Sequence, residues 1–154
     1  MKKYLLLFVL AFLAACQKPT TKKNDAVDSS HNAKNSLDYV GTYKGILPCA
    51  DCSGLETEIA INENSTFSIK TKYQGKGDKV FVQKGNFKWN EKGNTIILTD
   101  IKNAPNHYFV GENTLTQLDL SGAKITGSLA DDYILSKQPT NASTIETVEP
   151  TNAA

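Results

Sequence analysis

Hydrophobic and polar residues alternate along much of the chain between residues 39 and 136, in short segments separated by turn residues. From Leu55 to Ile61, every second residue is apolar or threonine, and two of the three residues between them are glutamates. A period of two is typical of a β-strand with one buried face. Residues 62–64 supply a tight turn, and the segment from Thr66 to Tyr73 then alternates in the same way. The pattern therefore predicts a hairpin of two antiparallel strands.

The same alternation predicts six further strands, and no segment shows a convincing amphipathic helix. The six segments span residues 39–46, 80–89, 95–99, 107–110, 114–118 and 132–136. About eight short strands joined by short turns are typical of an up-and-down antiparallel β-barrel, which places the chain in the all-β class. Eight strands close around an interior that side chains just fill or that admits one small ligand. A sandwich of two sheets is the alternative architecture.

The first 15 residues have the features of a bacterial lipoprotein signal peptide. Two lysines precede an apolar run over residues 4–13, which is too short to span a bilayer as a permanent helix, and small residues precede Cys16. By its likeness to the lipobox, this motif predicts that the signal peptide (residues 1–15) is removed and that acylated Cys16 anchors the chain. Gln17 in place of an aspartate favours, by the known sorting rule, the outer membrane and a domain that faces the periplasm. In an ordinary secreted protein, by contrast, Cys16 would merely follow the cleavage site.

Composition divides the mature chain into a tether, one domain and a tail. Residues 16–37 comprise the lipidated cysteine and a polar segment with almost no aliphatic residue, so we expect a disordered tether with His31 exposed to solvent. Residues 38–137 hold the predicted strands and form the barrel domain. Residues 138–154 are rich in Pro, Thr, Asn and Ala, and we expect them to be a disordered tail.

The charges argue against nucleic-acid binding. All 17 basic residues are lysines, two of them lie in the signal peptide, and 16 residues are acidic. The mature chain is therefore close to neutral and has no field that attracts a polyanion. Arginine, the residue best suited to bidentate contacts with phosphates and bases, does not occur in the sequence. We expect no nucleic-acid partner.

Cys49 and Cys52 form a C-x-x-C motif between Pro48 and Gly54, in the connection of the first two predicted strands. In an oxidising compartment, two neighbouring cysteines are usually joined by a disulfide. Closing so short a loop adds little stability, which suits a sensor better than a staple. A thioredoxin-like dithiol needs the motif at the N-terminus of a helix, whereas a strand follows it here.

Metal binding is the other chemistry open to this motif. A structural zinc site needs four ligands, and the mature chain offers Cys49, Cys52 and at most His107, so we expect no such site. Two reduced thiolates suit Cu(I), although the sequence has no methionine besides Met1 to assist. A disulfide, a redox-active pair and a copper site at Cys49 and Cys52 remain the alternatives.

The acidic residues and histidines show no arrangement that indicates catalysis. Asp51, Glu56 and Glu58 lie near the motif and could suggest acid–base chemistry, but the two glutamates are on the predicted outward face of a strand. Asp119 and the pair at residues 131–132 have no matching pattern of histidine or serine. We therefore expect a protein that is not an enzyme and needs no cofactor, with copper as the one candidate metal.

A signal peptide of this type, followed by a Gly-x-Tyr-x-Gly-x-Leu-Pro-Cys-x-x-Cys-x-Gly run, makes the chain similar to the NlpE family of lipoproteins. The run occupies residues 41–54, and the segments 85–89, 113–119 and 133–137 continue the likeness, which covers residues 38–137. The resemblance implies an outer-membrane lipoprotein with a lipocalin-like β-barrel. It also implies a role in copper tolerance and in envelope-stress signalling, with an inner-membrane sensor kinase as partner.

Longer members of that family carry a second, C-terminal barrel with another cysteine pair, so the likeness here is to the N-terminal domain alone. The main alternative is a lipocalin-like lipoprotein whose barrel holds a small apolar ligand, which an interior filled by Phe67, Phe87, Trp89 and Tyr133 would exclude. An accessory subunit of an envelope assembly is the third hypothesis.

Overall fold

The computed structural model describes residues 31–139 of the chain. The predicted signal peptide, Cys16, Gln17, most of the predicted tether and the tail from residue 140 onward lie outside the described residues. Within residues 31–139, no helix has the length and apolar character needed to cross a bilayer.

Eight strands of the described chain form a closed antiparallel barrel in which each strand pairs with its neighbours in sequence. The strands are β1 (Gly41–Leu47), β2 (Leu55–Ile61), β3 (Thr66–Tyr73), β4 (Val80–Trp89), β5 (Thr95–Leu98), β6 (His107–Gly111), β7 (Thr114–Gln117) and β8 (Ile134–Lys137). The predicted all-β, up-and-down barrel is confirmed. The alternative of a two-sheet sandwich is wrong, because β8 pairs with β1 through Tyr43 opposite Lys137 and closes the sheet on itself.

The two strands with the clearest alternation begin and end where the sequence predicts. β2 pairs with β3 along its whole length, from Leu55 opposite Tyr73 to Ile61 opposite Phe67. Ile59, Ile61 and Phe67 are almost completely buried, with 2% or less of their surface exposed. The predicted apolar face of this hairpin is therefore the wall of the barrel interior.

Side chains from all eight strands fill the interior of the barrel. The largest that are fully buried are Tyr43, Phe67, Ile59, Ile61, Ile96, Leu98, Leu115, Leu135 and Val110. Each such side chain contributes about 1.5–3 kcal/mol by leaving water. The one polar group among them is satisfied, because the hydroxyl of Tyr43 donates to the carbonyl oxygen of Tyr39 at 2.8 Å.

A short helix, α1 (Ala33–Ser36), lies where the sequence predicts a disordered tether. Asn32 caps it by accepting a hydrogen bond from the backbone N–H of Asn35 at 3.2 Å. The N–H of Lys34 donates to the carbonyl of Gly93 in the β4–β5 connection, and Ala33 is buried. The prediction of disorder is therefore wrong for this part of residues 16–37, because contacts with the barrel order a segment too short and too polar to show a pattern. His31 is exposed, as expected.

Because the strands run alternately up and down, successive connections lie at alternate ends of the barrel. The β1–β2, β3–β4, β5–β6 and β7–β8 connections lie at one end, which also holds a single 3-10 turn (Ala130–Tyr133) before β8. The other connections lie at the opposite end, where α1 contacts Gly93 and the chain enters β1. The C-x-x-C motif thus lies at the end of the barrel away from the point where the chain enters it.

Candidate functional site

The candidate site is the disulfide loop, defined here as residues 48–54, which joins β1 to β2. Pro48 follows the last residue of β1 and has no N–H with which to continue the strand pairing. Cys49 and Cys52 form a disulfide with their Cα atoms 5.4 Å apart. Both cysteines are half-buried, and the residues Ala50, Asp51 and Ser53 are exposed. Of the alternatives left by the sequence, the disulfide is the state that the structure contains.

Gly54 lets the loop pack closely against its neighbours. A Cβ atom at this position would lie 2.5 Å from Cγ2 of Ile46 and 2.7 Å from Oε1 of Gln74. The carbonyl of Gly54 accepts a hydrogen bond from the N–H of Gln74 at 2.9 Å, and the side-chain amide of Gln74 donates to Glu56 at 3.1 Å. The loop is therefore fastened to the β3–β4 connection (residues 74–79) by backbone as well as side-chain contacts.

Asp51 makes a second link to the same connection. Its carboxylate forms an exposed ion pair with the ammonium group of Lys76. The hydrogen bond from Lys76, and then the positive charge of that residue, lower the pKa of Asp51 below its ordinary value. Asp51 is thus ionised at neutral pH and places a negative charge in the middle of the motif.

The two sulfur atoms lie beside oxygen atoms of the loop. Sγ of Cys49 is 3.6 Å from Oδ1 of Asp51, and Sγ of Cys52 is 3.2 Å from the carbonyl oxygen of Gly54. Because disulfide sulfurs carry no hydrogen, these are contacts and not hydrogen bonds. A catalytic dithiol has a helix N-terminus or a cationic group beside its reactive sulfur, whereas Cys49 has the carboxylate of Asp51 beside it. The surroundings therefore differ from those of a catalytic dithiol.

Cys49, Asp51 and Cys52 also form a group of candidate metal ligands. One ligand atom from each lies within 4.8 Å of the other two, and no other group of three acids, histidines or cysteines in residues 31–139 meets this criterion. After reduction the two thiolates would suit a soft cation such as Cu(I). His107 does not belong to the group. It lies at the start of β6 under Gly122, where an added Cβ would be 3.2 Å from its Cδ2 atom.

The contacts of the loop with Gln74 and Lys76 could not be predicted from the sequence. Lys76 is 25 residues from Asp51, and one lysine among many gives no signal. The acidic residue inside the C-x-x-C motif was visible, but the sequence suggested only acid–base chemistry for Asp51. Its observed role is to join the disulfide loop to the β3–β4 connection.

Comparisons with known proteins place these features in a family. The family model of the NlpE N-terminal domain matches residues 43–128, which include most of β1, the disulfide loop and the whole of strands β2 to β7. Lipoprotein NlpE of Escherichia coli (strain K12) is 29% identical over 84 residues, which is 54% of this chain and 36% of that protein. This chain thus spans about a third of the length of its E. coli relative.

Two solved structures are also similar. A crystal structure from Shewanella oneidensis, of a protein described as a candidate lipoprotein, is 41% identical, with a TM-score of 0.64 and coverage of 70% of this chain and 95% of that one. The crystal structure of the Cpx pathway activator NlpE from E. coli is 28% identical, with a TM-score of 0.47 and coverage of 56% of this chain and 46% of that one. Since the family model spans more than half of the 154 residues, the chain belongs to the NlpE N-terminal domain family.

Proposed function

We propose that this protein is an envelope lipoprotein, anchored in the outer membrane through acylated Cys16, whose disulfide loop acts as a redox-sensing element in an envelope-stress or copper response. The observation that supports this function is the position of the Cys49–Cys52 disulfide. It lies in a partly exposed surface loop, and neither cysteine belongs to the apolar core. Such a bond can open and close while the barrel stays folded.

The direction of the chain supports the same function. The segment that leads from the proposed anchor enters the barrel at the end occupied by α1, and the disulfide loop lies at the opposite end. The disulfide loop therefore lies at the end of the domain that is farther from the attachment of the tether. In the periplasm the loop would face soluble thiol reagents and the periplasmic part of an inner-membrane sensor kinase, which is the proposed partner.

The sensing step is a two-electron reduction. A dithiol reductant transfers two electrons and two protons to the Cys49–Cys52 disulfide, the S–S bond breaks, two thiols form, and the reductant becomes a disulfide. Once the S–S bond is gone, the two Cα atoms are no longer held 5.4 Å apart, and the loop is retained only by its contacts with Gln74 and Lys76. The loop then gains freedom while the core residues keep their packing.

The test is a double substitution, Cys49→Ser with Cys52→Ser, in the full chain with Cys16 intact. We expect normal amounts of membrane-anchored protein, but a stress reporter and copper tolerance that no longer respond to oxidant, reductant or copper, because the loop is fixed in its open state. Ser53→Ala in the same loop is the matched control and should behave as the wild type. If the double variant keeps both responses, the disulfide is a structural link and the proposal fails.

Cu(I) binding by the reduced loop is a second candidate function. It is favoured by the approach of ligand atoms from Cys49, Asp51 and Cys52 to within 4.8 Å of one another. The two thiolates would hold the ion, and Asp51 would supply a neighbouring charge. Anaerobic titration of reduced protein against a Cu(I) chelator should show one binding equivalent, lost in Cys49→Ser and weakened in Asp51→Asn. Equal affinity in wild type and Cys49→Ser would exclude this site.

The alternative of a ligand held inside the barrel is not favoured. Phe67 and Phe87 lie in the core with 5% or less of their surface exposed, and Trp89 packs against it with its ring edge-on to that of Tyr39, 5.0 Å between centroids. Tyr133, the fourth aromatic residue expected in the interior, is instead half-buried in the 3-10 turn before β8 and does not belong to the core. An interior occupied in this way is one that side chains fill, which is one of the two outcomes open to an eight-stranded barrel.

A further inference from the structure

The barrel has one open stretch of strand edge, on β4. β4 pairs with β3 from Val80 to Asn86, but with β5 only from Phe87 to Trp89. β5 is four residues long, whereas β4 has ten. Along residues 80–84, the side of β4 that faces away from β3 therefore has no strand partner within residues 31–139.

The hydrogen bonds at the end of this edge show which backbone groups are free. The N–H of Phe87 donates to Ser65, next to β3, whereas Asn86 turns to the other side. There its carbonyl accepts from the N–H of Thr99 at 2.9 Å, and its own N–H donates to Asp100 at 2.8 Å. In an antiparallel strand, the backbone N–H and C=O groups of consecutive residues point to opposite neighbouring strands. The backbone groups of the even-numbered residues of β4 therefore point away from β3.

Three residues consequently present their N–H and C=O groups to solvent. They are Val80, Val82 and Lys84, and residues 79–86 contain no proline that would remove a donor. A row of unpaired backbone groups is a template for the addition of another strand. The edge ends at Gly85 and Asn86, where an added Cβ on Gly85 would collide with the side chain of Asp100.

The side chains of this edge are apolar in the centre and cationic at both ends. Val80, Phe81 and Val82 are 51%, 42% and 52% exposed, so both faces of the strand are open. Lys79 and Lys84 flank them, and neither has an acidic partner among the described residues. Lys79 instead lies over the ring of Phe81, 4.7 Å from its centroid.

We propose that residues 79–84 form a docking edge for an extended segment of a partner protein that is apolar in its centre and has an acidic residue at each end. The free N–H and C=O groups of Val80, Val82 and Lys84 would pair with the backbone of that segment. Its apolar residues would meet the valines and Phe81 on the two faces of the strand. Lys79 and Lys84 are five positions apart and therefore lie on opposite faces, and each would meet the carboxylate at one end of the segment. Backbone pairing supplies affinity in this mode of recognition, and alternate side chains supply specificity.

The same charges disfavour a second copy of this chain as the occupant. In an antiparallel self-pairing centred on Val82, each Lys84 would lie opposite Val80 of the other copy, one position from its Lys79 and on the opposite face. Each end of the shared ladder would then carry a lysine on either face, and lysines on an edge strand are a common means of preventing edge-to-edge association. A segment with acidic residues meets attraction at both ends.

The proposal can be tested with a fluorescein-labelled peptide, Thr-Glu-Val-Thr-Val-Val-Glu-Thr, whose two glutamates are five positions apart like the two lysines, and the full mature chain in detergent. We expect saturable binding by fluorescence anisotropy, whereas the peptide with lysine in place of glutamate does not bind at up to about 1 mM. Val82→Pro removes an outward N–H that β3 does not use, and should weaken binding about tenfold or more. The double substitution Lys79→Glu and Lys84→Glu should weaken binding of the acidic peptide by a similar factor and should allow the lysine peptide to bind.

Lys88→Glu is the matched control, because Lys88 is an exposed lysine of β4 in the part that is paired with Ile97 of β5. It should change the affinity by less than about twofold. Equal binding of both peptides, absence of binding, or an equal loss in Lys88→Glu would overturn the proposal. Dimers that cross-link through residue 82 would assign the edge to a second copy instead. An affinity gain of about tenfold on removal of residues 140–154 would assign it to the tail of this chain.

Discussion

Removing the disulfide should lower the free energy of unfolding by a modest amount and leave the barrel folded. The perturbation is the double substitution Cys49→Ser and Cys52→Ser, which opens a covalent loop of only four residues, since the cysteines are three positions apart. The chain-entropy relation for so small a loop gives about 6 cal/mol/K, or about 2 kcal/mol at 25 °C. That is the loss expected in the free energy of unfolding, and it arises because the unfolded chain gains freedom.

Little should be added to this figure by changes in the folded state. Both cysteines are half-buried and lie outside the core cluster, so serine leaves no cavity like those of truncated core residues. The backbone bond from Gln74 to Gly54 and the ion pair of Asp51 with Lys76 remain available to hold the loop. The loss should therefore stay at or below the low end of the range for a core leucine cut to alanine, about 2–5 kcal/mol.

The assay is urea unfolding followed by the fluorescence of Trp89, the single tryptophan of the chain. Its ring packs edge-on against Tyr39 and Phe87 at 5.0 and 6.5 Å between centroids, so unfolding should change its emission. We expect an unchanged dependence on urea, a melting temperature lowered by about 10 °C, and the same stability for the wild type kept in reductant.

A loss of about 4 kcal/mol or more would refute this reasoning, because it would exceed the entropy of the loop. It would mean that the disulfide holds β1 and β2 in register, and any loss of signalling in the double variant would then report unfolding. Wild type in reductant that is markedly more stable than the double variant would instead show that serine itself disturbs the loop.

Three further changes test the packing and the electrostatics of the barrel. Leu135→Ala truncates a fully buried side chain and should cost about 2–5 kcal/mol in urea unfolding. Glu58→Gln removes a carboxylate whose pKa is lowered, chiefly by hydrogen bonds from two lysines at 2.8 and 2.9 Å. Such a group stabilises the fold above its unfolded pKa of 4.5 and loses that contribution as the pH falls through its folded pKa. The variant should thus be weaker by less than about 1 kcal/mol at pH 7 and equal to the wild type in acid. Tyr43→Phe removes the hydroxyl bonded to Tyr39 and should cost about 1 kcal/mol. Burial raises the pKa of Tyr43 to about 12. The contribution of this residue to stability is therefore full below the ordinary tyrosine pKa near 10 and is lost as the pH rises through 12. In the ultraviolet titration of the variant, one late-ionising tyrosine should be missing.

Each of these expectations has a contrary outcome. A loss of less than about 1 kcal/mol in the free energy of unfolding for Leu135→Ala would mean that neighbouring side chains relax into the cavity left by the leucine. A stability difference for Glu58→Gln that persists in acid would show a role other than charge. If the titration of Tyr43→Phe matches that of the wild type, the late-ionising group is another buried tyrosine, such as Tyr108, whose pKa burial also raises.

The sequence predicted the barrel well where a strand has one buried and one exposed face. β2 and β3 fit this description, and their bounds agree with the alternation. β4 does not fit it fully, because residues 80–84 are exposed on both faces. Alternation shows that a strand exists and which residues share a face, but not whether the neighbouring strand is long enough to cover it.

Local patterns were also insufficient for α1 and for the surroundings of the disulfide. α1 has four residues, less than two turns, and depends on the contact of Lys34 with Gly93, a residue far along the chain. The cysteine pair itself was visible from its spacing. Its contacts with Gln74 and Lys76 arise because β2 pairs with β1 on one side and with β3 on the other. This pairing brings the β1–β2 and β3–β4 connections together, although they are far apart in the sequence.

The disulfide loop and the open edge of β4 share one short element, the β3–β4 connection at residues 74–79. Gln74 and Lys76 hold it to the disulfide loop, and Lys79 is its last residue before the edge begins at Val80. A change in the loop can therefore reach the edge through these two contacts and a few exposed residues, along a path that does not pass through the packed interior. Because the core residues of β5 to β8 take no part in it, the disulfide can open, at a cost of about 2 kcal/mol in stability, while the barrel stays folded. This separation is what a sensing element on a rigid scaffold needs, since the loop can change its shape while the domain that presents it stays folded.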